Sequence, residues 1–313
     1  MVEILESKDK LNSLDHVLAG AGSGCITRAL TQPLDVIKIR FQLQVEPISP
    51  LAVSKYKSIP QAVGLIIREE GLKAFWKGHI PAQWLSITYG MVQFSTFEFL
   101  VKKGESLDFG KKHSHLINFM SGGIAGSTAT LLSFPFDVIR TRLVAQSEQK
   151  MIYKEGIIHS CEHILKNEKP STLFRGLLPS LFQITPHAGV QFMTYKLFND
   201  MYSLLFHQND VTLSNSVVSG SLAGLCAKTA IYPLDLVKKR MQIQGFEKGR
   251  EIFGKVFRCK GMVDALGNVY RDEGAVGFFK GLSPSLLKAC VSSALYFGTY
   301  ELCCDIIKVL KGI

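Results

Sequence analysis

Between Leu177 and Tyr195 the chain carries no formal charge, and the segments 17–34 and 282–300 hold a single charge each. Long stretches of 81–97, 114–136 and 197–227 are nearly as poor in charge. Charged residues make up only 20% of the 313 positions, against 47% apolar ones, which argues against a string of soluble domains. Windows of about 17–25 mostly apolar residues can cross a bilayer as helices. Six such windows are expected, two per repeat of the unit described below. They are diluted by Gly, Ser, Thr and Gln, which suits helices with one face on lipid and the other on a wet cavity or a neighbour.

Other absences narrow the function. The cysteines (Cys25, Cys161, Cys226, Cys259, Cys290, Cys303 and Cys304) show no metal-ligand spacing, so neither a zinc site nor a disulfide framework is expected. No Gly-rich phosphate loop, Ser–His arrangement or recurring His/Cys set is present, which speaks against an enzyme, a resident cofactor or a metal centre. His79 and His187 stand alone. Glu3, Glu6, Asp9 and Asp15 make the first residues unlike a signal peptide or an Arg-rich transit peptide. A net charge of +10 would point to nucleic acid in a soluble protein; in a membrane chain it points to anionic lipid or an anionic solute. Both 55–77 and 102–112 are basic, so the distribution of Lys and Arg sets no orientation.

What is present is one phrase repeated three times. Pro33-Leu34-Asp35-Val36-Ile37-Lys38-Ile39-Arg40 recurs as Pro135-Phe136-Asp137-Val138-Ile139-Arg140-Thr141-Arg142 and as Pro233-Leu234-Asp235-Leu236-Val237-Lys238-Lys239-Arg240. The pairs Gly20/Gly24, Gly122/Gly126 and Gly220/Gly224 precede the prolines at constant spacing. Phe75-Trp76-Lys77-Gly78, Leu173-Phe174-Arg175-Gly176 and Phe278-Phe279-Lys280-Gly281 follow them, each with a proline three residues on. The unit is about 100 residues, too long for common solenoids and suited to several helices that complete their core beside their siblings.

Within a unit, residues 14–44 are predicted as a helix interrupted by Pro33, with Gly20 and Gly24 on one face for close helix approach. Asp35 and Lys38 share a face just past the proline. Charges at that depth need partners, so each Asp is expected to find a cation on an adjacent helix, closing one end of a central cavity with a ring. Ser58-Ile59-Pro60-Gln61 and Gly71 bracket a short amphipathic helix, matched by 155–168 and 260–273. Pro81 opens the second long helix, expected to run to about Lys103.

This thrice-repeated Pro-x-Asp-x-x-Lys/Arg-x-Lys/Arg, with its trailing aromatic-Lys/Arg-Gly, resembles the mitochondrial carrier family over nearly the whole chain. The resemblance implies an all-α membrane protein of the mitochondrial inner membrane. Its repeats, 14–105, 113–206 and 212–310, would supply six transmembrane helices in a pseudo-threefold barrel. Three short helices would lie on the matrix side, and both termini would face the intermembrane space. A matrix gate would pair Asp35 with Arg140, Asp137 with Lys238 and Asp235 with Lys38, braced by Gln42 and Gln242; the second repeat has Val144 there. It departs again at Glu168-Lys169, where its siblings have Glu70-Gly71 and Glu273-Gly274. A cytoplasmic gate would use Glu98, Lys196 and Glu301, with Lys196 bridging an acid and the usual bases replaced by Val101, Asn199 and Cys304. Turns at Gly78, Gly176 and Gly281 would bind cardiolipin, helped by Lys77, Arg175 and Lys280.

Arg28, Lys228 and Lys288 interrupt otherwise apolar spans at the family's substrate-contact positions, without nearby sequence partners. Two repeats supply charge where the middle one has Thr130 and Gln183, which suits an elongated solute with a polyanionic end and a heterocyclic end. A diphosphate would sit on the cations. Gln183, Ile184, His187 and Gln191, with Tyr89 and Gln93, would receive the ring. The stretches 37–44, 75–83, 228–235 and 278–289 resemble the branch of the family that carries thiamine pyrophosphate. That implies import of this solute against a nucleotide counter-substrate by a monomer; a carrier of nucleotides or coenzyme A would use the same cations. A nonselective channel would not need two sets of gate charges.

Overall fold

The computed structural model describes residues 12–46, 54–106, 114–146, 152–153, 156–206, 213–246, 254 and 256–311; the expected repeat starts at 113 and 212 lie outside them. All regular elements among these residues are helical. Repeat 1 contains α1 (Ser13–Leu43), α2 (Ile59–Glu70) and α3 (His79–Glu105), with a 3-10 turn at Leu72–Trp76. Repeat 2 contains α4 (Ser114–Ala145), α5 (Ile157–Asn167), α6 (Leu177–Phe182) and α7 (Ile184–Phe206), with a 3-10 turn at Pro170–Phe174. Repeat 3 contains α8 (Leu213–Gln242), α9 (Met262–Gly277) and α10 (Leu282–Lys311).

The long helices continue past their prolines: α1, α4 and α8 enclose Pro33, Pro135 and Pro233. The second repeat's equivalent of α3 and α10 is instead divided at Gln183. Pro186 explains the division, because it has no N–H to give to the carbonyl four residues back. The short helices start and stop as their sequences direct. Ser58 Oγ accepts the N–H of Gln61, and Gly71 ends α2 at φ +75°. Gly274 makes the same left-handed turn inside α9 at φ +70°. In repeat 2 the chain leaves α5 through Glu168 in extended geometry, and Pro170 starts the next turn, so no glycine is needed.

Packing is mostly between repeats. The broadest helix contacts are α3 on α4, α7 on α8, and α10 back on α1, so the last helix closes the ring on the first. Along the α10–α1 seam, Ser23 Oγ lies 2.8 Å from Thr299 Oγ1 and donates to the Tyr296 carbonyl, while Thr27 Oγ1 sits 3.0 Å from Thr299 Oγ1. The largest apolar core gathers at the proline end, around Val36, Phe41, Tyr56, Ile66, Phe75 and Val144. One glycine of each pair borders a neighbouring helix at ordinary contact distance: a Cβ at Gly20, Gly126 or Gly220 would stand 3.9 Å from Tyr296, Tyr89 or Tyr195, whereas one at Gly24, Gly122 or Gly224 would meet nothing within 4 Å. Tight approach occurs elsewhere, as at Gly22 against Cys303. Away from the proline end, the small residues leave room instead of filling it.

One described helix segment, Ser216–Gln242, is long and apolar enough to cross a membrane by length and composition. The other long helices fall short because small polar residues dilute them. Their surfaces are nevertheless apolar: Met91, Phe94, Phe192 and Phe297 are exposed on α3, α7 and α10.

Candidate functional site

Each repeat places its aspartate two residues past the proline, and each aspartate meets a cation of another repeat. Lys38 Nζ donates to Asp235 Oδ2 at 2.6 Å. Lys238 Nζ lies 2.8 Å from Asp137 Oδ2. Arg140 Nη2 lies 2.6 Å from Asp35 Oδ2, a close ion contact that lacks hydrogen-bond alignment. The three links close the proline end of the ring. Gln42 and Gln242 stand beside two of them: Gln42 Nε2 donates to Asp235 at 3.1 Å and Gln242 Nε2 to Asp137 at 2.8 Å. Lys239 was not anticipated. Its ammonium donates to Asp137 Oδ1 at 2.8 Å, to Thr141 at 3.0 Å and to Gln242 Oε1 at 3.1 Å.

Beneath this ring lies a layer of arginine clamps that the motif contained but that pattern reading did not pair. Arg40 grips Glu70 with both terminal nitrogens at 2.6 and 2.8 Å, and Arg142 grips Glu168 at 2.6 and 3.0 Å. Arg240 holds Glu273 the same way. All three arginines are fully buried. The available signal was the glutamate at each short helix's end, present even in repeat 2 where the following glycine is missing. Such forked pairs are strong and directional, and here each ties a long helix to its short helix.

The three cations expected to meet a solute sit in different circumstances. Arg28 donates to Ser86 Oγ across to α3, and its Nε has no partner. Lys228 has no hydrogen bond or ion pair among the described residues, though Lys38, Asp235 and Asp35 lie within electrostatic range. Lys288 is not partnerless as its sequence suggested: its ammonium donates to Oδ1 and Oδ2 of Asp35 at 2.7 and 2.8 Å. A residue 253 positions earlier could not be found from spacing. Asp35 thereby stands within electrostatic reach of all three cations. Cations outnumber carboxylates at this floor, which suits a polyanion.

A cavity of 220 Å³ is lined by Leu85, Tyr89, Thr130, Ser133, Phe134, Asp137, Ser180, Gln183, Ile184 and Lys238, and none of the three cations is among these lining residues. Gln183 and Ile184 thus share one wall with Tyr89, and Gln183 Oε1 is buried without a donor. His187 lies one helical turn further along, within electrostatic range of Lys228.

The charges expected at the opposite end are not brought together. Glu98 pairs with Lys102 on its own helix at 2.6 Å, a base one residue past the position searched. Among the described residues no ion pair joins Lys196 to Glu98 or Glu301, and all three are exposed. At this end Lys311 of α10 pairs with Asp15 of α1 at 2.6 Å, while the three charges expected to form the gate stay apart.

Gly78, Gly176 and Gly281 adopt φ of +72°, +87° and +79°. Two of the turns border large clefts: 410 Å³ beside Gly78, with Trp76, His79 and Leu143, and 640 Å³ beside Gly281, with Ser58, Phe279 and Ser283. The basic residues of these turns point inward instead of toward lipid. Lys77 pairs with Glu70, Arg175 donates to the Gln244 carbonyl, and Lys280 binds Glu273 and the carbonyls of Gln44 and Val45. Buried acceptors outcompete solvent or headgroups for those cations.

The profile of the family described as mitochondrial carrier protein matches residues 9–104, 111–204 and 209–309. The chain is 47% identical over 301 residues to the mitochondrial thiamine pyrophosphate carrier of Macaca fascicularis, covering 94% of this chain and 92% of that one. It is 46% identical over 295 residues to the protein of the same name from Homo sapiens, covering 92% and 91%. Against mitochondrial thiamine diphosphate carrier 2 of Zea mays the identity is 38% over 334 aligned positions, covering 98% of each.

Proposed function

This chain belongs to the mitochondrial carrier family, and from that premise we propose that it carries thiamine pyrophosphate across the mitochondrial inner membrane into the matrix, by alternating access and in exchange for nucleotides. What supports the reading is that Lys288 bonds Asp35 while Arg28 and Lys228 lie within electrostatic range of the same carboxylate, and that Gln183, Ile184 and Tyr89 line a cavity with Asp137 and Lys238. A diphosphate bridging these cations leaves its heterocycle at the cavity wall, where Tyr89 can stack and Gln183 Oε1 can accept an amine.

The gating scheme follows from the two ends. Asp35, Lys38, Asp137, Arg140, Asp235 and Lys238, braced by Gln42 and Gln242, form the matrix gate. Glu98, Lys196 and Glu301 form the cytoplasmic one. Six long helices cross the membrane with apolar residues such as Phe94, Phe192 and Phe297 toward lipid, which their exposure supports. The short helices lie on the matrix side and the termini face the intermembrane space. Cardiolipin occupies the turns at Gly78, Gly176 and Gly281 as headgroup sites served by backbone N–H groups, and the carrier works as a monomer.

The test is uptake by proteoliposomes of a labelled panel: thiamine pyrophosphate, thiamine monophosphate, thiamine, nucleoside di- and triphosphates, and coenzyme A. Uptake of thiamine pyrophosphate that depends on internal nucleotide supports the reading. Efficient uptake of unphosphorylated thiamine, or uptake confined to nucleotides or coenzyme A, overturns the substrate while leaving the carrier fold in place.

A further inference from the structure

The three seams of the proline end are not tied equally. Between repeats 2 and 3, Asp137 takes Lys238, Lys239 and the amide of Gln242. Between repeats 3 and 1, Asp235 takes Lys38 and the amide of Gln42. Between repeats 1 and 2 the position that supplies the amide is Val144, which has no donor. The clamp layer repeats this asymmetry. Arg142 Nε and Arg240 Nε donate to the carbonyls of Gln242 and Gln42 at 3.1 and 3.0 Å, whereas Arg40 Nε has no partner. The Asp35–Arg140 contact lacks hydrogen-bond alignment, as Lys238–Asp137 does, but Asp137 keeps aligned bonds from Lys239 and Gln242. The aligned bonds to Asp35 come from Lys288, which reaches in from α10.

We propose that Lys288 is a removable brace: it completes the Asp35–Arg140 latch in the empty protein, and the phosphates of the solute withdraw it, so that occupancy of the cavity loosens this seam first. The inference rests on the anionic solute proposed above. Lys288 gives two of its three N–H groups to one carboxylate, so a diphosphate that takes more than the remaining one draws it off Asp35. Lys228 carries no such debt, so the anion docks on it first and then draws Lys288 across. Until it does, affinity is scaled down to the fraction of molecules in which Lys288 is free. Once Lys288 has moved, Asp35 keeps one misaligned partner and no amide, and its link to Arg140 becomes the least costly of the three to break. Binding and opening are thereby coupled through one side chain, with the differential interaction that a ligand-driven change requires.

The experiment is calorimetric titration of inorganic pyrophosphate into the detergent-purified full chain. Asp35→Asn releases Lys288 and is expected to bind pyrophosphate about tenfold more tightly than wild type, the size of one charged hydrogen bond. The double variant Asp35→Asn/Lys288→Gln is expected to fall back to the affinity of Lys288→Gln. Alone, Lys288→Gln should weaken binding less than Lys228→Gln, because Lys228 surrenders nothing on binding. No tightening in Asp35→Asn overturns the proposal. So does a double variant as tight as Asp35→Asn, which would make Arg140 the released cation. If Asp35→Asn does not fold, the single variants decide: equal losses in Lys228→Gln and Lys288→Gln overturn it. Pyrophosphate carries no heterocycle, so this result stands apart from whether thiamine pyrophosphate is the solute.

Discussion

Gly281 approaches the backbone carbonyl of Lys38 so closely that an added Cβ would stand 2.9 Å from that oxygen. The relationship is threefold: Gly78 meets the carbonyl of Arg140 at 3.0 Å and Gly176 that of Lys238 at 2.8 Å. Each glycine sits against the backbone of a gate cation in another repeat, in a left-handed conformation that only glycine adopts freely. Replacement by alanine therefore meets both backbone strain and a clash that no rotamer relieves. Gly281→Ala is expected to cost about 1–3 kcal/mol from strain alone and to lower the melting temperature in detergent. Gly64→Ala, inside α2 with nothing within 4 Å of the added Cβ, should carry no such cost. If cardiolipin stabilises the wild type but not Gly281→Ala, the turn also serves lipid.

The clamp layer predicts a pH dependence. Burial alone would raise the Glu70 carboxyl, but its hydrogen bonds to Arg40 and Lys77 override that and hold it below the ordinary value. A depressed carboxylate contributes stability that is fully present above its unfolded pKa, about 4.3, and is lost as pH falls through the folded value. Thermal stability should therefore fall on acidification below about pH 4. Glu70→Gln should flatten that limb and cost about 3 kcal/mol or more at neutral pH, since Arg40 would be left buried and unpaired. Glu162→Gln removes only an exposed pair with Lys166 and should change the neutral melting temperature little.

Much of this geometry was legible because the repeats fix depth and register. Once Pro33, Pro135 and Pro233 are aligned, Asp35, Asp137 and Asp235 must lie at one level, and cations three residues on must lie beside them. Three features escaped that logic. Lys239 has no counterpart in Ile39 or Thr141, so symmetry says nothing about it. The Lys288–Asp35 bond joins the first helix to the last, and no spacing reports it. Lys77, Arg175 and Lys280 look like surface charge beside an aromatic, yet neighbouring carbonyls and carboxylates take them in. At the opposite end, Glu98 found Lys102 on its own helix because the bases of the familiar pattern are absent.

The solute reading predicts a graded response to phosphate. Lys228→Ala removes a charged hydrogen bond and should lower thiamine pyrophosphate uptake about 10- to 150-fold while the protein stays folded. Thiamine monophosphate should compete weakly and thiamine not at all. Competition assays with each compound against labelled thiamine pyrophosphate check this. Equal competition by thiamine would show that the ring, not the phosphates, governs recognition.

The unequal seams lead to a last prediction, about which gate charges can be spared. Lys38 is the only cation in contact with Asp235 among the described residues, whereas Asp137 has both Lys238 and Lys239. Removing one partner of a buried pair leaves an uncompensated charge and costs about 3–5 kcal/mol. Lys38→Ala should approach that cost, softened by the Gln42 amide. Lys238→Ala should cost clearly less, because Lys239 remains 2.8 Å from the carboxylate. Melting temperatures of the two variants, with transport rates beside them, give the order. Charge reversal sharpens the comparison. Asp235→Lys combined with Lys38→Asp recreates an ion pair in mirror image and should restore part of transport. Asp137→Lys combined with Lys238→Asp places the new lysine against Lys239, so like charges meet and rescue should be poorer. Equal rescue by both swaps would mean that Lys239 does not act on Asp137 in the working carrier.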